Sequence, residues 1–262
     1  DYLVKPFAFS ELLARVGAQI ARTRDDFNGT GAVVVTNPSP SRRSTNLKAG
    51  VGMQYAVNSA FIVRVEGEEI LARLIAQRQP VIMLTPHFLG LDLGGTRLAA
   101  SFDCVSIYAR QRDPVIDHWL FHGRSRFGSQ VLLRRDESVR ASIKAMKEMR
   151  PFYYLPDMDN GMEDSIFSPF FGVQAATLSA LPRLTRLGGA VVVTCVTRML
   201  PGGQGYVVTL SEPWTDFPSG DVEADVHRMN AAIEDLVRTM PAQYYWVHRR
   251  FKTRPPGEPK VY

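Results

Sequence analysis

The segment TPHFLGLDLGG, residues 85–95, holds two side chains of the types needed for acid–base chemistry, His87 and Asp92. An imidazole titrates near neutrality, so it can take a proton from a hydroxyl at physiological pH. A carboxylate bound to one ring nitrogen fixes the tautomer and raises the basicity of the other nitrogen. On one continuous helix the five-residue spacing would turn about 500° and leave the two side chains about 140° apart. The pair therefore needs a junction, with His87 in the loop after the apolar run VIMLT and Asp92 in the first turn of a helix. That is the carboxyl end of a strand, where open α/β sheets gather their sites. The same spacing also suits a structural histidine beside an ordinary helix-start carboxylate.

Three further segments offer chemistry. YYLPDMDNG (153–161) is a second strand-end loop, with Asp157 and Asp159 as candidates for substrate binding or oxyanion contact. Asp and Asn in a turn need no chemistry at all, and a metal reading lacks a third ligand at suitable spacing. HGRSRF and LLRRDE supply Arg124, Arg126, Arg134 and Arg135, whose guanidinium forks suit a phosphate or a developing oxyanion. YYWVHRRFKTRP (244–255) interleaves aromatic and basic residues. Its Trp246, Arg249, Arg250 and Lys252 suit a membrane interface or a nucleic acid, and a solvated tail is the plain alternative. His118, His122 and His227 read as structural. The chain has no G-x-S-x-G elbow, P-loop or H-E-x-x-H, so His87 is expected to act on a substrate hydroxyl without a protein nucleophile.

These residues need a sheet to hold them. The 262 residues are 45% hydrophobic and 22% charged, which is ordinary for a globular α/β protein. A formal net charge of +5 suits an anionic partner. Residues 1–27 read as a strand end and an amphipathic helix, and 28–60 as a Gly/Ser/Pro-rich linker. From 61 to 262 strands and helices alternate. Strand-like runs lie near 61–66, 81–85, 104–108, 131–133, 152–155, 190–197 and 205–211. Helices are predicted at 67–78, about 114–127, 137–149, 177–187 and 222–239. The pattern predicts an α/β fold with a mixed, largely parallel sheet flanked by helices. Cys104 and Cys195 sit in separate apolar runs and read as lone buried thiols.

The ordered set formed by His87-x4-Asp92, HGRSRFG, the RRD turn at 134–136, YLPDMDNG, FFGVQAATLSALPRL and YYWVHRRFKTRP resembles the lipid A biosynthesis acyltransferases of Gram-negative bacteria. The resemblance covers about 61–262 and implies a glycerol-phosphate acyltransferase-like fold. It implies an acyl carrier protein thioester or acyl-CoA as donor and a lipid A precursor as acceptor. In that chemistry His87 deprotonates the acceptor hydroxyl and Asp92 orients it, with no cofactor, no metal and no nucleic acid. The same base would also serve another glycolipid, a lyso-phospholipid or water, and a non-catalytic fusion relic is a further alternative. Family members usually begin with an apolar membrane-anchoring helix. Here DYLVKPFAFSELLARVGAQIARTR instead resembles the end of a response-regulator receiver domain, with Lys5 and Pro6 in its Lys-Pro pair. The expectation is a fusion or fragment held peripherally on the cytoplasmic face of the inner membrane. The loop reads PDMDNG, where many relatives carry an aromatic in place of Asn160.

Overall fold

The computed structural model describes residues 62–134 and 138–262, with a two-residue antiparallel pairing of Val33–Val34 and Asn46–Leu47. The receiver-like reading of residues 1–27 and most of the linker reading of 28–60 lie outside the described residues.

From Ile62 onward the chain runs β1 (Val63–Glu66), α1 (Glu68–Ala76), β2 (Val81–Leu84), α2 (Leu91–Ala99), β3 (Val105–Tyr108), α3 (Pro114–Ser125), β4 (Val131–Arg134), α4 (Ser138–Lys147) and β5 (Phe152–Tyr154). There follow β6 (Ser165–Phe170), β7 (Val173–Leu178), α5 (Ala180–Gly188), β8 (Val191–Met199), β9 (Tyr206–Leu210) and α6 (Val222–Thr239). Seven strands form one sheet in the order β1-β9-β8-β2-β5-β3-β4. Neighbours are parallel except β8 and β9, which are antiparallel. This is the mixed, largely parallel α/β sheet that the apolar runs predict.

The run VIML forms a central strand buried along its whole length, as expected where helices cover both faces. Its side chains alternate between two cores. Ile82 and Leu84 pack with Met146 of α4, Leu184 of α5 and Ile233 of α6. Val81 and Met83 pack with Leu71 of α1 and Leu98 of α2. Cys104 and Cys195 are free and buried, and burial pushes both thiols up to about 12. Helix starts follow their caps. Asp113 accepts from the N–H groups of Val115 and Ile116 ahead of α3, and Asp221 from those of Glu223 and Ala224 ahead of α6.

The β6–β7 hairpin departs from expectation. The helix predicted from 177 begins at Ala180, because Thr177 and Leu178 close the hairpin against Ile166 and Ser165. The two-residue turn Phe171–Gly172 has positive φ at both positions, 49° and 74°, the geometry that matches strand twist in tight hairpins. Glycine meets this readily at 172. Phe171 is held there by its N–H, which donates to Glu234 Oε1 at 2.7 Å.

Helix α2 lies close on β8 because Gly94 has no side chain. A Cβ at Gly94 would stand 1.9 Å from Thr197 Oγ1. That hydroxyl is buried and without a hydrogen-bond partner. Gly94→Ala is expected to lower stability by roughly 1–3 kcal/mol through overpacking. Thr197→Ala should cost little alone and recover part of the loss in the double variant. Denaturant unfolding of the four proteins tests this, and strict additivity would refute the contact.

Candidate active site

Strands β2 and β5 are parallel neighbours in which Leu84 stands opposite Tyr154. Each leaves the sheet through a residue and a proline, Thr85-Pro86 and Leu155-Pro156. His87 and Asp157 then stand at equivalent positions, each three residues past the paired residue (87 − 84 and 157 − 154). The N–H of Thr85 donates to the Tyr154 carbonyl at 2.8 Å and carries the pairing one step beyond the strands. His87 Nδ1 meets Asp157 Oδ1 at 2.7 Å, and the His87 backbone N–H donates to Asp157 Oδ2 at 2.8 Å. An ionised carboxylate only accepts, so Nδ1 carries the proton and Nε2 is the basic nitrogen.

The Asp157 side chain is fully buried, whereas that of His87 remains 18% exposed. Burial opposes ionisation of Asp157, but the charge and hydrogen bonds of His87 outweigh it and hold the carboxyl well below its usual range. Burial likewise opposes a charged His87, and Asp157 more than offsets it, so the imidazole is raised above its ordinary value.

The expected His87–Asp92 contact is therefore corrected: the carboxylate on the imidazole belongs to Asp157. Asp92 does sit in the first turn of α2, as the spacing requires. Its Oδ1 turns to Arg124 of α3, accepting from Nε at 2.9 Å and lying 2.7 Å from Nη2. The start of α2 is fixed by the Tyr153 hydroxyl, which donates to the Leu91 carbonyl at 3.0 Å. The Asp92–Arg124 pair stays close enough for both charges to act on His87, Arg124 opposing its protonation and Asp92 favouring it.

The C-terminal segment closes the other side of the histidine loop. Phe88 and Tyr244 form an antiparallel bridge. The Tyr245 N–H donates to the His87 carbonyl at 2.8 Å, and the Leu89 N–H to the Gln243 carbonyl at 2.9 Å. The Gln243 side chain takes both backbone groups of Met199 at the end of β8. His248 stands with its ring 6.3 Å from that of His87, and its Nδ1 is bonded to the Tyr245 carbonyl. Burial lowers its basicity.

Other sequence candidates separate by place. Asp159 is engaged within the protein. It accepts from the Gly161 N–H and from the N–H and hydroxyl of Thr253, tying the loop to the C-terminal segment. Among the described residues no three His, Cys, Asp or Glu side chains gather as a metal site. Arg250, expected at a membrane or substrate, is instead completely buried. It donates to the Ala176 carbonyl and to Thr177 Oγ1. Its neighbour Arg249 is exposed, Trp246 is 41% exposed, and Lys252 reaches the Asp159 carbonyl at 3.4 Å. Arg126 is exposed and lies over the Phe127 ring. Arg135 lies outside the described residues.

A sequence model of the bacterial lipid A biosynthesis acyltransferase family matches residues 27–253. The match therefore begins near the start of the segment whose composition reads as linker. The chain is 36% identical over 197 residues to a lipid A biosynthesis lauroyltransferase of Escherichia coli (strain K12), covering 75% of this chain and 64% of that protein. It is 31% identical over 199 residues to a palmitoleoyltransferase of the same strain, covering 76% and 64%. It is 31% identical over 198 residues to a myristoyltransferase of that strain, covering 75% and 61%. The chain thus spans a little under two thirds of the length of these relatives.

Proposed function

Because the chain belongs to the bacterial lipid A biosynthesis acyltransferase family, we propose that it moves a fatty acyl group from an acyl carrier protein thioester to a hydroxyl of a lipid A precursor. The observation that carries this is His87, with Nδ1 on the buried Asp157 carboxylate and Nε2 left for a substrate proton.

The acceptor hydroxyl gives its proton to Nε2 as its oxygen attacks the thioester carbonyl carbon. Asp157 holds the tautomer and stabilises the imidazolium that forms. The tetrahedral intermediate collapses by breaking the C–S bond, and the imidazolium returns its proton to the leaving thiolate. Arg124, whose charge is felt at His87, is the cation proposed for the oxyanion, with Asp92 positioning it. Acyl-CoA is the alternative donor, and the cytoplasmic face of the inner membrane is the proposed place of work. Among the described residues no helix is long and apolar enough to cross a membrane.

The test is incubation of the purified chain with acyl carrier protein thioesters and a lipid A precursor, read by mass spectrometry. The expected product is the precursor carrying one more ester-linked acyl group. Free fatty acid without acyl gain would replace transfer by thioester hydrolysis. If Asp92 acts through Arg124, the two substitutions are coupled. Asp92→Asn and Arg124→Ala are each expected to lower kcat/KM by roughly tenfold, with the double variant little worse than either. Multiplying losses would separate the two residues.

A further inference from the structure

Helix α3 wears its apolar side outward. At about 100° per residue, Val115, Ile116 and Trp119 fall within about 100° of its circumference. They are 65%, 38% and 41% exposed. The charged side chains of its middle and end turn the other way. Asp117 accepts from the Gln111 N–H and faces Arg110, and Arg124 pairs with Asp92. No described residue of α3 is buried. A helix on the surface of a globular protein has the reverse arrangement.

The surroundings of α3 are basic. Arg110, Arg112 and Arg126 flank it and are exposed. Residues 110–126 hold four arginines against two aspartates, Asp113 and Asp117. The helix is tied to the body of the protein by the Asp92–Arg124 pair, and Phe121, itself 44% exposed, meets the Tyr108 ring edge-on at 5.7 Å. Leu89 and Met158, 46% and 37% exposed, stand two residues past His87 and one past Asp157. The catalytic loops thus also present apolar side chains to the outside.

We propose that α3 docks on an anionic lipid bilayer, with Val115, Ile116 and Trp119 in the headgroup–acyl boundary and Arg112 and Arg126 on lipid phosphates. Large apolar side chains exposed together mark an interaction surface. An outward tryptophan flanked by arginines fits the membrane interface, where aromatic rings sit at headgroup level and cations meet anionic lipid. An acidic protein partner would also meet these arginines, so loss of acyl carrier protein binding with unchanged vesicle partitioning, when Val115, Ile116 and Trp119 are replaced together, would overturn the proposal in favour of that partner. The choice of a bilayer rests on the proposed lipid substrate, and docking through α3 would hold the Asp92–Arg124 pair and the loop of His87 at the lipid boundary.

The experiment uses the full chain with phosphatidylcholine vesicles, with and without phosphatidylglycerol. Binding is expected to be stronger on the anionic vesicles. The combined Val115→Ser, Ile116→Ser and Trp119→Ser variant should lose at least about tenfold in partitioning, from the apolar area removed. In a Trp246→Phe background, lipids brominated in their tails should quench tryptophan emission, and adding Trp119→Phe should abolish that quenching while Trp214 remains. Unchanged partitioning of the triple variant, or quenching that survives Trp119→Phe, would overturn the proposal. A dimer in solution that the triple variant dissociates would overturn it in favour of a second copy. Cross-linking of α3 to residues 1–61 that persists on vesicles would overturn it in favour of the chain's own amino-terminal segment. His87→Ala is expected to bind vesicles as the wild type does. Lost transfer with intact binding therefore bears on the chemistry, and lost binding with intact transfer to detergent-dispersed acceptor bears on α3.

Discussion

Alanine at position 87 is expected to lower acyl transfer by about 10²–10⁴-fold, the usual worth of a general base, while the protein stays folded. His87 is placed by backbone contacts that the substitution leaves alone, its N–H to Asp157 and its carbonyl to the Tyr245 N–H. The loss should therefore fall on kcat, with circular dichroism unchanged. Near-normal turnover would remove His87 from the mechanism. The companion variant Asp157→Asn keeps a side chain that can hold the ring and removes the charge. Two effects should follow. The plateau rate falls, because the imidazolium loses its stabilising partner. The acid limb of the rate profile moves to lower pH. The sign comes from the forces on the ring: in the wild type Asp157 outweighs burial and raises His87, so the base becomes active only above its ordinary value near 6.5. Without that carboxylate, burial acts with the Arg124 charge and the proton leaves earlier. A limb that stays in place would show that Asp157 does not tune the base.

Stability is expected to suffer most at Arg250. Its side chain is completely buried, with Nη1 2.6 Å from the Ala176 carbonyl it serves and Nη2 2.7 Å from Thr177 Oγ1. The Asn230 Oδ1 lies 3.4 Å from Nη2, and the guanidinium stands 5.3 Å over the Phe170 ring. Arg250→Met fills similar space and leaves these acceptors short of donors. Hydrogen bonds to a charged group contribute about 1.5–3 kcal/mol each, so a loss of roughly 3 kcal/mol or more is expected. Arg250→Lys should not restore it, since one ammonium cannot reproduce the planar fork. Arg249→Ala, on an exposed side chain, should change stability by no more than about 0.5 kcal/mol. Urea midpoints for the three variants decide this, and equal midpoints for Arg249→Ala and Arg250→Met would undo the distinction.

That contrast between adjacent arginines shows where sequence reading stops. Period and apolar runs placed β2, β5 and β8 and the junction that holds His87, because burial on both faces writes itself into consecutive residues. The turn at Phe171–Gly172 escaped because an aromatic at positive φ is held by Glu234, 63 residues away. Arg249 and Arg250 look alike in a string of aromatic and basic letters, and only the β6–β7 hairpin and α6 decide which one is swallowed. The partner of His87 escaped for a similar reason. Spacing pointed to Asp92, five residues on, whereas Asp157 is 70 residues distant. A signal was present nonetheless in the matched endings LTPH and YLPD, two apolar strands each leaving through a proline into an ionisable residue.

Those matched endings make the reactive distance a property of one ladder step between two strands. Chain length between the two loops is therefore neutral: β3 and β4 lie on the outer side of β5, and extra residues in the turns around them would not part His87 from Asp157. One residue added inside Thr85-Pro86 or Leu155-Pro156 is different, because it displaces one partner by about 3.3 Å against the other. The excursion through β3 and β4 can thus change in length without disturbing the pair, while the two short exits tolerate substitution far better than any insertion or deletion.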